Sequence, residues 1–334
     1  PLPSGTRPPW PGSPDATRLA AELRQKWLEK PASHVVDCTY WQPLRTCPRC
    51  RPGQLAARYV AYLPAALFTE PERVRALALL VPGGRGGRSR AFLSPIPNKT
   101  IWNMGSGGLR TKQLVDAYLA AHPASVAPIV VSLESRGTEL NNGQTEHLSR
   151  DLPEHIAATY LGGVPLADLV LGAEGISSGG RAVMETLFDE PAAFHAVALT
   201  CMACGKLDPG RPFGFGPEVF DRWADALQAR AAAGQFELRF TIGSRDGQKP
   251  CSSALYSIFG AHGLFDLARP PVYTNGQPGK PESEDSCDTE RPGWVSYAGE
   301  MHHYGLLKKS WAPELEWLLG ALERVRQRRA AAAP

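Results

Sequence analysis

Residues 169–188 constrain this chain more than any other stretch. Leu169 to Ala173 is a short apolar run, the pattern of a buried strand. Val183, Met184 and Leu187 then recur at helical spacing. Between the two, Gly175, Ile176, Ser177, Ser178 and Gly179 spell G-x-S-x-G. A serine on a sharp strand-to-helix turn is held in a strained backbone conformation, with its hydroxyl pushed clear of the sheet. The flanking glycines answer a crowding problem, because a Cβ there would meet the adjoining strand and helix. The helix N-terminus aims free N–H groups at the same point, where an oxyanion would form. The bare pattern also fits a glycine-rich turn with two exposed serines; a strand before it and a helix after it favour the nucleophile turn.

The rest of the chain supplies the sheet that such a turn needs. Residues 1–14 read as a Pro/Gly/Ser-rich tail and 15–30 as a leading helix with Leu19, Leu23, Trp27 and Leu28 at helical spacing. Residues 34–41 and 56–63 look like an antiparallel strand pair. The near-continuous apolar run 75–81 predicts a parallel strand buried on both faces. It ends in the glycine-rich loop 82–87, which lacks either phosphate-binding pattern. Further strands are expected at 127–133, 196–200, 236–242 and 294–298. Helices are expected at 111–121, 151–160 with Asp151 as N-cap, 217–233, 252–259 and 311–326. Strands alternating with helices imply an α/β class: a doubly wound, mostly parallel sheet. The expected organisation is one domain over 15–327 with an insertion at about 247–293, then a frayed tail from 328 to 334.

Composition excludes several alternatives. The 334 residues carry a net charge of +3, too mild to imply nucleic acid. The longest apolar runs fall far short of a membrane span. Seven cysteines exceed what a reduced cytosolic enzyme needs. Cys47 and Cys50 form one C-x-x-C pair and Cys201 and Cys204 another, with Cys38, Cys251 and Cys287 apart. Disulfides in an exported protein are the plain reading, with one thiol left over by the odd count. A zinc site built from the two pairs is the rival reading, against which their wide separation argues. The chain opens at Pro1 without Met, so the expectation is a secreted or periplasmic protein whose signal peptide has been removed.

A serine hydroxyl is a poor nucleophile at neutral pH. It needs a base to take its proton and a third group to hold that base. The order Ser, then acid, then His is the one that goes with this turn. Asp246 follows the strand expected at 236–242, and His302 and His303 follow the one at 294–298. All three fall at C-terminal strand ends, the edge of an open sheet where ligands bind. Asp285 and Asp288 are reserves for the acid, and His262, in a loop, is a weaker rival for the base. His195 opens a strand at the opposite edge and reads as structural.

At this point the chain resembles a known family: the α/β-hydrolase serine esterases grouped around esterase D, feruloyl esterases, enterochelin esterases and polyhydroxyalkanoate depolymerases. Residues 57–64 (Ala-Arg-Tyr-Val-Ala-Tyr-Leu-Pro), 151–153, 175–180 with 191–197, and 299–304 with 315–318 carry the likeness. It implies an α/β-hydrolase fold, an acyl-serine mechanism, no metal and no cofactor. It favours His302 over His303, because the family's histidine is commonly followed two places on by an aromatic, here Tyr304. By position in the fold it assigns the oxyanion hole to the N–H groups of Gly84 and Ser178. The family's usual His-Gly after the third strand is Pro82-Gly83 here, and the cysteine pairs and the insertion are not general family features.

The resulting expectation is a carboxylesterase acting on a small-molecule or polymeric ester through Ser177, His302 and Asp246. A peptidase or an acyltransferase with the same triad fits the same residues. So does a non-catalytic binding protein with a structural cysteine or zinc site. Oligomeric state is not legible.

Overall fold

The structure is a computed structural model that describes residues 32–43, 54–82, 109–133, 146–203, 217–268, 272–273, 289–297, 300 and 304–332. Among them, ten strands form one sheet in the order β1-β2-β4-β3-β5-β6-β7-β10-β9-β8. β1 (His34–Pro43) and β2 (Gln54–Leu63) pair antiparallel, as their alternating sequences predict, and β2 is also antiparallel to its neighbour β4. α1 (Ala66–Thr69) then leads to β3 (Ala76–Val81), whose six residues are all buried. That is why its sequence is a continuous apolar run rather than an alternation. α2 (Thr111–Ala121) and β4 (Pro128–Leu133) come next. α3 (Leu152–Tyr160), β5 (Val170–Ile176), α4 (Ser178–Asp189) and β6 (Ala196–Thr200) build the centre. α5 (Pro217–Ala232), β7 (Glu237–Gly243) and α6 (Lys249–Ala261) follow. β8 (Val272–Tyr273), β9 (Thr289–Arg291), β10 (Trp294–Tyr297) and α7 (Tyr304–Ala332) complete the chain. β3, β4, β5, β6, β7 and β10 are parallel to one another, each joined through a crossover.

Four sequence expectations change. Asp151 is not an N-cap: a π-helical turn, His147–Asp151, runs into α3, Asp151 has helical dihedrals, and no side chain caps the helix. Burial of His147, Leu148 and Ser149 draws the polar stretch into the helix. α7 begins at Tyr304, ahead of Pro313, instead of at 311. A proline reads as a first-turn residue in sequence, yet here the helix runs through it because one face is packed on the sheet along its length. Leu315, Leu318, Leu319, Leu322 and Val325 are that buried face. The helix also continues to Ala332, where a frayed tail was expected from 328. Arg329 Nη1 donates to the Leu169 carbonyl at 2.9 Å, and Arg328 pairs with Glu237 of β7. Finally, the insertion expected at about 247–293 contains β8 and β9, which extend the sheet antiparallel beyond β10. The 1–14 tail and the 15–30 helix lie outside the described residues. No described helix is long and apolar enough to cross a membrane.

Candidate active site

The sequence places a serine at the end of β5, and the fold puts that serine at the centre of the sheet. β5 lies between β3 and β6, so its C-terminal end has a strand on either side. Ser177 is the junction between β5 and α4, with φ 54° and ψ −120°. For a residue with a Cβ this conformation costs about 1–3 kcal/mol and persists only where its surroundings over-determine it. Those surroundings are visible. The Ser177 N–H donates to the Thr200 carbonyl of β6 at 3.0 Å, and the Ser177 carbonyl accepts from Ala203 N–H at 2.9 Å. A Cβ on Gly179 would lie 2.0 Å from the Val81 carbonyl oxygen at the end of β3, and one on Gly175 would lie 2.5 Å from the Cα of Gly180. The glycines let α4 start hard against two strands. Ser177 and Ser178 remain partly exposed while Gly179 and Gly180 are buried. Ser178 is the first residue of α4, where helix N–H groups have no partner within the helix.

Asp246 lies in the turn after β7 and is 4% exposed. Its Oδ1 accepts the Gln248 N–H at 2.8 Å, and its own N–H donates to the Gly243 carbonyl at 3.1 Å, so the carboxylate is fixed by its own turn. The same turn grips the chain that follows β10. Arg245 N–H donates to the Glu300 carbonyl at 2.9 Å and Ser244 N–H to the Tyr297 carbonyl at 2.8 Å. A Cβ on Gly243 would lie 2.2 Å from that same Glu300 oxygen. The chain at Tyr297 and at Glu300 is therefore anchored on the Asp246 turn. Glu300 also pairs with Lys309 of α7. His302, His303, Gly84, Asp285 and Asp288 lie outside the described residues.

Cys201 links the serine and aspartate regions, a position that sequence reading did not give it. It follows β6 with φ 41°, and its N–H donates to the Thr241 carbonyl of β7 at 2.7 Å. Burial pushes its thiol well up, and the Asp246 carboxylate adds to the effect. A hydrogen bond from the Ser177 backbone opposes that rise. One sealed thiol thus senses both the Ser177 peptide and the Asp246 carboxylate. Neither Cys201 nor Cys38 is in a disulfide, against the expectation for both. Cys201 is fully enclosed at its strand end, and Cys38 lies 3.3 Å from the Tyr160 hydroxyl. Cys251 is buried at the start of α6 and disulfide-bonded. Cys47, Cys50, Cys204 and Cys287 lie outside the described residues, and among the described ones no cluster of three or more metal-ligating side chains occurs.

The other described histidines have occupations of their own. His195 Nδ1 accepts the Leu171 N–H at 3.1 Å, and burial, with Arg329 nearby, lowers its pKa to about 4. It is a structural group at the edge away from Ser177, as its position at the start of a strand suggested. Burial lowers His147 to about 3 and His155 to about 4. His262 ends α6 with both ring nitrogens on carboxylates of α5, Asp225 at 2.8 Å and Asp221 at 3.0 Å.

Solved structures share this architecture. A ferulic acid esterase superposes with a TM-score of 0.54 at 14% identity, over 87% of this chain and 99% of that one. The feruloyl esterase module from Clostridium thermocellum, complexed with sinapinate, gives 0.56 at 15% identity, over 88% of this chain and 90% of that one. No protein-family model matches the sequence, and no curated protein sequence matches it. The strand order, the antiparallel opening and these likenesses together give the chain the α/β-hydrolase fold, with Ser177 at its strand-to-helix turn.

Proposed function

We propose that this chain is a serine carboxylesterase. Ser177 Oγ attacks the ester carbonyl carbon, and the carbonyl electron pair moves onto oxygen. His302 takes the hydroxyl proton and returns it to the departing alcohol. Asp246 holds His302 in the required tautomer and stabilises its charge. Water then repeats the sequence on the acyl-serine. The N–H groups of Ser178 and Gly84 receive the oxyanion, and no cofactor takes part. The observation that carries this reading is the strained Ser177 at the β5–α4 junction, locked by glycine contacts and partly open to solvent. The burial of Asp246 and the anchoring of the Glu300 segment on its turn support the other two roles. The feruloyl esterase likenesses favour an ester of a small acid, free or on a polymer. Seven cysteines favour an exported enzyme, with the bonded Cys251 consistent with an oxidising compartment.

The test is covalent labelling with a fluorophosphonate followed by peptide mapping, alongside hydrolysis of p-nitrophenyl acetate. The reading requires the label on Ser177 and its loss, with the activity, in Ser177→Ala. Activity that survives the substitution overturns the mechanism. Transfer of the acyl group to an added alcohol in preference to water identifies an acyltransferase instead.

A further inference from the structure

The sheet face beneath α7 carries charge where its surroundings are hydrocarbon. Glu174 sits in β5 and is 2% exposed. In the β5–β6 register Glu174 lies opposite Ala198 and Ile176 opposite Thr200, so Glu174 and Thr200 share one face, a diagonal apart. Thr200 Oγ1 donates to Glu174 Oε1 at 2.5 Å. On the same face, Arg239 of β7 lies opposite Ala198, and its Nε donates at 3.1 Å to Oε1 of Glu314, which is fully buried on α7. The Arg239 guanidinium also lies over the Trp317 ring, 5.7 Å from its centroid. Glu174 Oε2 is buried with no hydrogen-bond partner among the described residues.

Among the described residues, two carboxyls lie near one guanidinium here, and that guanidinium donates to Glu314. A second uncompensated buried charge would cost several kcal/mol. Burial, and then the neighbouring Glu314, accordingly hold the Glu174 carboxyl well above the usual carboxylate range. In its neutral form Glu174 still accepts the Thr200 hydroxyl. Hydrocarbon at these positions would serve stability as well or better, so the cluster is not accounted for by stability. What it reaches, through Thr200, is Ser177, since the Thr200 carbonyl is the group that accepts the Ser177 N–H.

We propose that Glu174 is a positioning residue for Ser177, acting through Thr200. Thr200 is the last residue of β6, and the chain turns away at Cys201 with a positive φ. A strand's final ladder residue is where fraying begins. The buried carboxyl ties that residue down by its side chain, so its carbonyl stays aimed at the strained serine peptide.

The proposal rests on Ser177 as the nucleophile, and the experiment separates the two. Fluorophosphonate labelling rate, kcat, KM and melting temperature are measured for the wild type, Glu174→Gln, Glu174→Ala, Thr200→Ser and Thr200→Val. Glu174→Gln and Thr200→Ser keep the acceptor and the hydroxyl, and should retain kcat within about threefold. Glu174→Ala and Thr200→Val should lose kcat and labelling rate together, by about 10²-fold, the scale on which a small misplacement of a reacting group is felt. KM should stay within about twofold. Should Glu174→Ala fail to fold, the near-isosteric Thr200→Val decides. Wild-type labelling rates in Thr200→Val, or a Glu174→Gln as slow as Thr200→Val, overturn the proposal while leaving the nucleophile standing. A wild type that takes no label at Ser177 ends both.

Discussion

The ends of β5 and β7 hold Ser177 and Asp246 by different means. At β5 the serine is strained, and its conformation is forced by close backbone contact: Gly179 against Val81, Gly175 against Gly180. At β7 the aspartate sits in a relaxed turn, positioned by hydrogen bonds within that turn. The turn in turn grips a segment from far along the chain at Glu300. Crowding is short-ranged and written in neighbouring residues, so the geometry of Ser177 is a local property. The second arrangement exists only when the β7 and β10 ends have come together. Under the proposed roles, a nucleophile must be displayed at one fixed angle whereas an acid needs only to face its imidazole, and the two constructions match those demands.

Substitutions can break each end separately. Ser177→Ala should abolish p-nitrophenyl acetate hydrolysis, a loss of about 10⁶-fold in kcat where the chemistry is limiting. Next comes Asp246→Asn, which keeps the acceptor for the Gln248 N–H and so keeps the turn. It should lower kcat by about 10⁴-fold without lowering the melting temperature, because only the imidazole's partner changes. A Gly179→Ala variant should be damaged in a different way. Its Cβ meets β3 backbone, not a movable side chain, so both stability (by about 3 kcal/mol in urea denaturation) and labelling of Ser177 should fall. By contrast, Gly243→Ala pushes on the Glu300 carbonyl and should lower kcat by about tenfold while leaving Ser177 in its strained conformation. If Gly243→Ala left kcat at the wild-type value, the β7 turn would not be what positions the base-bearing segment.

The smallest effect concerns His262, remote from this edge in role. Its carboxylate partners Asp221 and Asp225 raise its pKa in the folded chain. A raised folded pKa stabilises the protein below the unfolded value near 6.5, and the gain fades as pH climbs through the folded value. His262→Asn should therefore reduce the melting temperature by a degree or two at pH 5.5 and by less at pH 9. The ion pairs are exposed, which keeps the effect small. An equal reduction at both pH values would show that packing, not protonation, is what the histidine supplies.

Much of this was legible before any coordinates. The helix at 111–121 and the strand at 196–200 fall where periodicity puts them. Asp151 was misread because a cap and a buried helical aspartate look alike without the preceding turn in view. Pro313 hid the first two turns of α7, since a proline is read as a boundary unless packing is known. β8 and β9 escaped notice because two- and three-residue strands in a Pro/Gly/Asp-rich stretch have no periodicity to detect. Glu174 passed as one charge in an apolar run, its partner Thr200 being 26 residues away and the Arg239–Glu314 pair spanning 75.

The sequence by itself determined the alternation of the longer strands and helices and the turn that displays Ser177. Both are set by spacing and by residues in direct succession, where backbone sterics and apolar periodicity act. Tertiary structure alone decided that Cys201 and Cys38 stay out of disulfides, that Glu174 meets Thr200, and that the chain at Glu300 rests on the Asp246 turn. Those outcomes depend on which strand ends and helix faces meet across the sheet. No local preference encodes that, because the contacts join residues that are neighbours only after the chain has closed.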